Sequence, residues 1–381
     1  MPRLTKEFWI GLALALGSAA LCILGLEAVM RIIDKPAPII SGWRGNPLPL
    51  NQLGWRGRPI DYAAEDFVVV LVGDSQVECR ACPPDETMDL VLERALRQHI
   101  PRAKVVTLGA SGFGTDQEYL ALQEYFTRYR ADLVITWLTI GNDIVDNLTR
   151  SAGGGYHRFH PKPSFWLEGD VLRGPTELID APVYTGKLRI LWQRAFEDFE
   201  TDWAARMPPP DPGLDHPPPA FDRVARTFEA IEDQRSLWSI LQTPRPAKME
   251  YGIRLTRALL GRMKELAESK NAAFVVVRED NFTPTAVSQA ARIGLEMYLP
   301  GKTAVEHNGR WILAEEATYH STVRDVTAGL DVLVMPIRVE NPRISPLDHH
   351  YIMAGNRQMM DDLAAMLIAK PNLTGRAQTV R

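Results

Sequence analysis

The sequence predicts a doubly wound α/β domain carried behind one membrane helix. Three observations point there: apolar runs of strand length, amphipathic stretches of helix length that alternate with them, and one charge-free amino-terminal run long enough to cross a bilayer. The 381 residues carry 43 Lys+Arg and 47 Asp+Glu, for a net charge of −4, with 45% hydrophobic and 24% charged residues. These are ordinary globular proportions, and they exclude wholesale disorder, collagen-like repetition and a multi-span membrane protein. Near-neutral charge gives no electrostatic footprint for a nucleic-acid partner. Three cysteines, Cys22, Cys79 and Cys82, are too few for a disulfide scaffold or a four-cysteine zinc site.

From Phe8 to Leu26 the chain reads FWIGLALALGSAALCILGL without a charge. At about 1.5 Å per residue such a helix spans roughly the hydrocarbon core of a bilayer. Arg3 and Lys6 precede it, as a cytoplasmic amino terminus requires, while Arg31 and Lys35 follow it. The run is longer than a signal-peptide core of about 7–15 residues, and no small-x-small cleavage site follows it. Residues 1–35 therefore read as a cytoplasmic tip and uncleaved anchor, with the rest of the chain outside the cytoplasm. Residues 36–66, rich in Gly, Pro and Arg and containing NQLGWRG at Asn51 to Gly57, read as a linker into a folded domain at 67–381.

Within that domain FVVVLV (Phe67 to Val72) runs into GDS, and a helical stretch at about Glu86 to Gln98 leads to KVVTL (Lys104 to Leu108). A second helix from about Thr115 to Tyr129 puts Tyr119, Leu122, Phe126 and Tyr129 on one face and feeds LVITWLTI (Leu133 to Ile140). A helix at roughly Met249 to Lys270 precedes AAFVVV (Ala272 to Val277), and a last helix runs from about Met353 to Ala369. Four strands apolar on both faces, alternating with amphipathic helices, make a parallel sheet covered on both sides. Between about 150 and 247 the rhythm fails. That stretch holds GGG at Gly153 to Gly155, a hairpin at Ser164 to Arg173 and two proline clusters, with helical pieces near Lys187 to Ala204 and Phe221 to Leu241, and reads as an insertion.

The chemistry-bearing residues gather at predicted strand ends. Ser75 follows Gly73 and Asp74 directly after the first strand, at the carboxyl edge of a parallel sheet where such folds bind ligands. A serine on a strand-to-helix turn exposes its hydroxyl beside free backbone N–H groups, which suits a nucleophile. The second strand ends in Gly109 and the third in Gly141, Asn142 and Asp143, which adds an open backbone N–H and an amide to the same edge. Near the carboxyl terminus SPLDHHY offers Asp348 and His350, two apart on one side of the chain, whereas His349 points elsewhere. Serine is a poor nucleophile unless an imidazole takes its proton and a carboxylate orients that imidazole.

The order Ser75, Gly109, Asn142, then Asp348 and His350 resembles the SGNH, or GDSL-type, hydrolase family over about Asn51 to Ala369. The resemblance implies a flavodoxin-like three-layer α/β/α fold with Ser75 as nucleophile, His350 as general base and Asp348 as its orienter. It also implies an oxyanion hole formed by the N–H groups of Ser75 and Gly109 and the side chain of Asn142. NQLGWRG and the anchor are similar to membrane-anchored members. Two features depart from the pattern: Ile140 stands where many members have glycine, and the last block reads Asp-x-His, similar to polysaccharide acetylation proteins.

What the resemblance implies is an extracytoplasmic, membrane-anchored serine esterase that removes a small acyl group, such as acetyl, from an acylated carbohydrate or other cell-envelope ester. The lipid bilayer is its other partner, and neither cofactor nor metal is expected. Two alternatives stay open: O-acetyl transfer to an exopolysaccharide, and glycan binding without catalysis on the same fold. Cys79 and Cys82, in CRAC, can close a small disulfide ring in an oxidising compartment. PGKT at Pro300 to Thr303 lacks the spacing and preceding strand of a phosphate loop, and His157 and His160 lack partnering ligands. Asn147-Leu148-Thr149 and Asn372-Leu373-Thr374 match the glycosylation sequon.

Overall fold

The computed structural model of the chain describes residues 5–33, 51–79, 82–83, 85–140, 143–148, 163–175, 239–279, 298–299, 302–307, 310–339, 343–345 and 348–379. Helix α1 (Lys6–Ile33) comes first, and its stretch from Lys6 to Val29 is long and apolar enough to cross a membrane. None of that stretch is buried against the rest of the described chain, so its apolar side chains find no partner within the protein.

The central sheet is built from β1 (Phe67–Gly73), β2 (Ala103–Gly109), β3 (Leu133–Leu138), β7 (Ala273–Glu279) and β11 (Val332–Met335). Its spatial order is β2-β1-β3-β7-β11, with every pair parallel. Numbered within the sheet this is 2-1-3-4-5, the flavodoxin-like doubly wound order. The fifth strand is additional to the four expected; Val332 to Met335 is only a four-residue run at the sheet's edge.

The β1 side chains explain why the sheet is covered twice. Val69 and Leu71 point into one apolar cluster and Val70 and Val72 into the other, and all four are fully buried. At about 1.5–3 kcal/mol for each large apolar side chain taken out of water, two-sided burial is what makes such short strands stable. One face is covered by α3 (Met88–Arg97), α8 (Met353–Ile368) and the start of α9 (Pro371–Thr379). On the other face lie α4 (Thr115–Tyr125), α5 (Asp143–Asn147), α6 (Ala247–Ser269) and α7 (Glu316–Val326). The helices expected at 86–98, 115–129, 249–270 and 353–369 thus stand within a few residues of their expected bounds.

Three smaller sheets flank this core. The hairpin expected at Ser164 to Arg173 is β4 (Trp166–Glu168) paired antiparallel with β5 (Val171–Arg173). A four-stranded antiparallel sheet, β6 (Gln242–Thr243), β10 (Arg310–Glu315), β9 (Lys302–His307) and β8 (Tyr298–Leu299), had no counterpart in the sequence reading. Lys302 and Thr303 of PGKT open β9 in that sheet, in an antiparallel context unlike a phosphate loop. The last pair is β12 (Arg343–Ser345) with β13 (Asp348–Tyr351). GGG, both proline clusters and the helix expected at Lys187 to Ala204 lie outside the described residues. So does the helix expected at Phe221 to Leu241, apart from its last residues, which form a turn.

The stretch read as the end of a linker is part of the packed body. Leu53, Trp55 and Ile60 are buried in the same cluster as β1, and Trp55 meets Phe113 edge-on at 5.4 Å. Asn51 makes this possible: its side-chain oxygen accepts from the N–H groups of Leu53 (3.0 Å) and Trp55 (3.1 Å), which folds NQLGWRG into a tight loop.

Candidate active site

Ser75 is the first residue of α2 (Ser75–Glu78), a single turn at the carboxyl end of β1. Asp74 caps it: the carboxylate accepts the Gln76 N–H at 2.9 Å, an N-cap that ends the strand and starts the helix within one residue. The turn closes where the Cys79 N–H donates to the Ser75 carbonyl at 3.1 Å, with Cys79 in the left-handed region at φ 46°. The side chain is not left open as a bare strand-to-helix turn suggests. Ser75 is only 6% exposed, and the ends of neighbouring strands lie close to its helix.

One of those neighbours is the end of β2. Gly73 and Gly109 are register partners at the carboxyl ends of β1 and β2. A Cβ on Gly109 would stand 2.6 Å from the Glu78 amide nitrogen and 2.8 Å from the Val77 side chain. On Gly73 it would collide with the Val77 side chain. Glycine at both positions is what lets α2 settle onto the sheet edge. Glu78 then ties α2 to the loop after β2, its carboxylate accepting from the Ser111 N–H at 2.8 Å and from the Ser111 hydroxyl.

On another side α2 packs against β13, the strand that carries Asp348 and His350. His350 is half-buried and precedes the fully packed Tyr351. The structure therefore brings the Ser75 helix, the Gly109 strand end and the His350 strand to one edge of the sheet. Asn142 lies outside the described residues, as does the side chain of Asp348.

The sequence reading missed several residues that hold this edge. Arg56, from NQLGWRG, donates to the carbonyls of Glu78 and Cys82, each at 3.1 Å, and so clamps the end of α2. Cys79 and Cys82 form a disulfide. Asn356 in α8 donates to both of its sulfurs at 2.9 Å, and Arg357 forks onto Glu86 through two contacts of 2.7 Å. NQLGWRG was a usable signal for Arg56; nothing near Asn356 singled it out.

The edge is also acidic beneath the surface. Asp74, Asp116, Glu118, Asp143 and Asp146 are all buried. Burial first, then the charges of Asp74, Asp116 and Asp146, push the Glu118 carboxyl well above its ordinary value. Burial first, then Glu118 and Asp74, do the same to Asp143, against the Thr139 N–H bonded to it at 2.8 Å. Burial and the neighbouring like charges thus favour the protonated form of both. Among the described residues no three His, Cys, Asp or Glu side chains are arranged to hold a metal ion. Asn147, of the first sequon, is buried with its amide bonded to Thr256 at 2.8 Å, so a glycan cannot be attached there. A cavity of about 280 Å³ lies elsewhere, where Arg58 is already paired with Asp89 and Glu93.

No family model matches the chain, and no curated protein matches it either. Solved structures show a distant likeness. TesA is 11% identical, with 79% of this chain and 97% of that one covered at a TM-score of 0.34. A protein described as a GDSL-like lipase from Parabacteroides merdae is 14% identical, with 82% and 96% covered and a TM-score of 0.34. LAE5, an alpha/beta hydrolase enzyme from the metagenome of Lake Arreo, is 9% identical, with 84% and 98% covered and a TM-score of 0.36. Likenesses this distant say nothing of what this chain does.

Proposed function

We propose that the chain is a membrane-tethered serine esterase of the SGNH, or GDSL, type. In this reading Ser75 attacks the carbonyl of a small acyl ester, such as an acetyl group on a cell-envelope carbohydrate. His350 takes the serine proton, and Asp348 holds the imidazole in the tautomer that can accept it. The carbonyl oxygen gathers negative charge that the N–H groups of Ser75 and Gly109 and the Asn142 side chain neutralise. The leaving hydroxyl receives the proton from His350. Water then attacks the acyl-enzyme, giving its proton to His350, which passes it to the Ser75 oxygen as the acyl–oxygen bond breaks and the acid is released.

One observation carries the reading: α2, which opens with Ser75, is seated between the Gly109 end of β2 and the strand that bears His350. Those three segments are far apart in sequence, and a structural role for a buried serine needs none of them. Helix α1 supports a membrane tether, and the two positive residues ahead of it support a catalytic domain outside the cytoplasm.

The test is turnover of p-nitrophenyl acetate by the full chain in detergent and by Ser75→Ala. The variant should keep the wild-type melting temperature and lose activity by roughly 10⁴-fold or more, as loss of a serine nucleophile does elsewhere. Activity retained in Ser75→Ala would falsify the assignment.

A further inference from the structure

Asn356 stands in an apolar setting, 1% exposed, in the cluster that holds Met359, Met360 and Tyr351. Burying an amide there costs free energy that a leucine would not, unless its hydrogen bonds are used. Its Nδ2 donates to Cys79 Sγ and to Cys82 Sγ, each at 2.9 Å, while its Oδ1 has no hydrogen-bond partner among the described residues. Sulfur is a weak acceptor, so the contact adds little to folding. What it fixes is a position.

The geometry on either side gives that position a consequence. Cys79 is bonded through its N–H to the Ser75 carbonyl, so the disulfide sits one helical turn from the proposed nucleophile. The Asn356 N–H is bonded to the Ile352 carbonyl at 3.0 Å, in the first turn of α8, and β13 with His350 directly precedes that helix. Arg56 holds the Glu78 and Cys82 carbonyls, and Arg357 holds Glu86. Those two charged clamps anchor the loop; among the described residues, the Asn356 amide is what reaches the disulfide itself from the histidine side.

We propose that Asn356 is a positioning residue that acts through the Cys79–Cys82 disulfide to keep Ser75 in step with His350, an inference that rests on the serine esterase reading. The amide registers the two segments against each other. Removing it lets α2 and α8 slide by a fraction of an ångström, which a nucleophile and its base feel far more than substrate binding does.

The experiment is a double-mutant cycle on the full chain in detergent, with Asn356→Leu, Cys79→Ala/Cys82→Ala and their combination. Three quantities are read: the rate at which a fluorophosphonate labels Ser75, kcat and KM on p-nitrophenyl acetate, and Tm. Asn356→Leu should lower kcat and the labelling rate roughly tenfold, with KM within about twofold and Tm not reduced. In the alanine background the same substitution should change nothing further. Unchanged kcat in Asn356→Leu, or an equal loss in both backgrounds, overturns the proposal while leaving the esterase reading intact. A wild-type chain that neither turns over ester nor takes the label overturns both.

Wild-type enzyme gives a second arm that does not depend on a variant folding. Dithiothreitol reduces the disulfide to two thiols as its own pair closes into a ring disulfide. Labelling of Ser75 should slow as the thiols appear and recover on reoxidation. Labelling that is indifferent to the thiol count overturns the proposal.

Discussion

Gly109 and Glu78 approach so closely that a single added carbon at 109 would stand 2.6 Å from the Glu78 amide nitrogen. That nitrogen is backbone and cannot swing aside, so α2 itself must move.

Gly109→Ala should therefore displace Ser75 and disturb the proposed oxyanion donors together. We expect kcat/KM to fall by on the order of 10²-fold and stability by about 1–3 kcal/mol. Gly261→Ala is the control: Gly261 lies inside α6 with nothing within 4 Å of the added carbon. That variant should gain about 0.5–1 kcal/mol with unchanged kcat. Equal effects of the two substitutions in a paired melt and assay would rule out a special role for the close approach.

Glu93 tests the acid side of stability. Burial alone would raise its carboxyl, but hydrogen bonds from Arg58 and the Val105 N–H outweigh it and hold the group below its ordinary 4.5. A carboxyl depressed by folding stabilises the protein above its unfolded value, and that contribution disappears as pH falls through the folded value. Glu93→Gln should cost about 1–2 kcal/mol near neutrality, since Arg58 keeps Asp89 and is partly solvated. Its urea midpoint should also fall less steeply than the wild type's on going to about pH 3. Parallel acid profiles would remove Glu93 from the account.

The strands at 67–72, 104–108, 133–140 and 272–277 were legible because a strand buried on both faces is apolar at most positions, a pattern short loops do not mimic. The strand Val332–Met335 was not: it is four residues long, and Val334 is exposed at the edge. Strand ends made the positions of Ser75 and Gly109 legible, since each follows or closes an apolar run of strand length. Asn356 was illegible for the opposite reason. Its partners Cys79 and Cys82 are 277 and 274 residues away, and only tertiary packing makes an ordinary helix position into a contact with them. The buried carboxyls were missed likewise: Asp116 and Glu118 open a helix, where acids ordinarily face solvent.

Helix α1 makes a prediction about fractionation. No share of its apolar stretch is buried against the described residues, and that stretch is long and apolar enough to cross a membrane. The full chain should stay with membranes through alkaline carbonate. A variant lacking residues 1–35 should move to the soluble fraction and keep its kcat on p-nitrophenyl acetate within about twofold. A truncated chain that still pellets with membranes would show that another surface binds them.

Glu118 tests the alkaline side, and with the opposite sign. Among the described residues neither of its carboxyl oxygens has a hydrogen-bond partner, and burial with three neighbouring acids lifts it well above 4.5. A carboxyl raised by folding keeps its proton in the native state after the unfolded chain has lost one. Its contribution is therefore whole below the unfolded value and is lost as pH climbs towards the folded value. Within that window each pH unit costs about 1.4 kcal/mol. Glu118→Gln fills the same space with no proton to lose. The variant should melt close to the wild type at about pH 4 and increasingly above it as pH climbs towards the folded value. Asp143, raised by the same cluster, will keep some slope in the variant, so the gap and not a flat profile is the expected signature. Melting curves that run parallel from acid to alkali would mean that Glu118 does not hold its proton in the fold, and that the acids beneath Ser75 are arranged around some other charge.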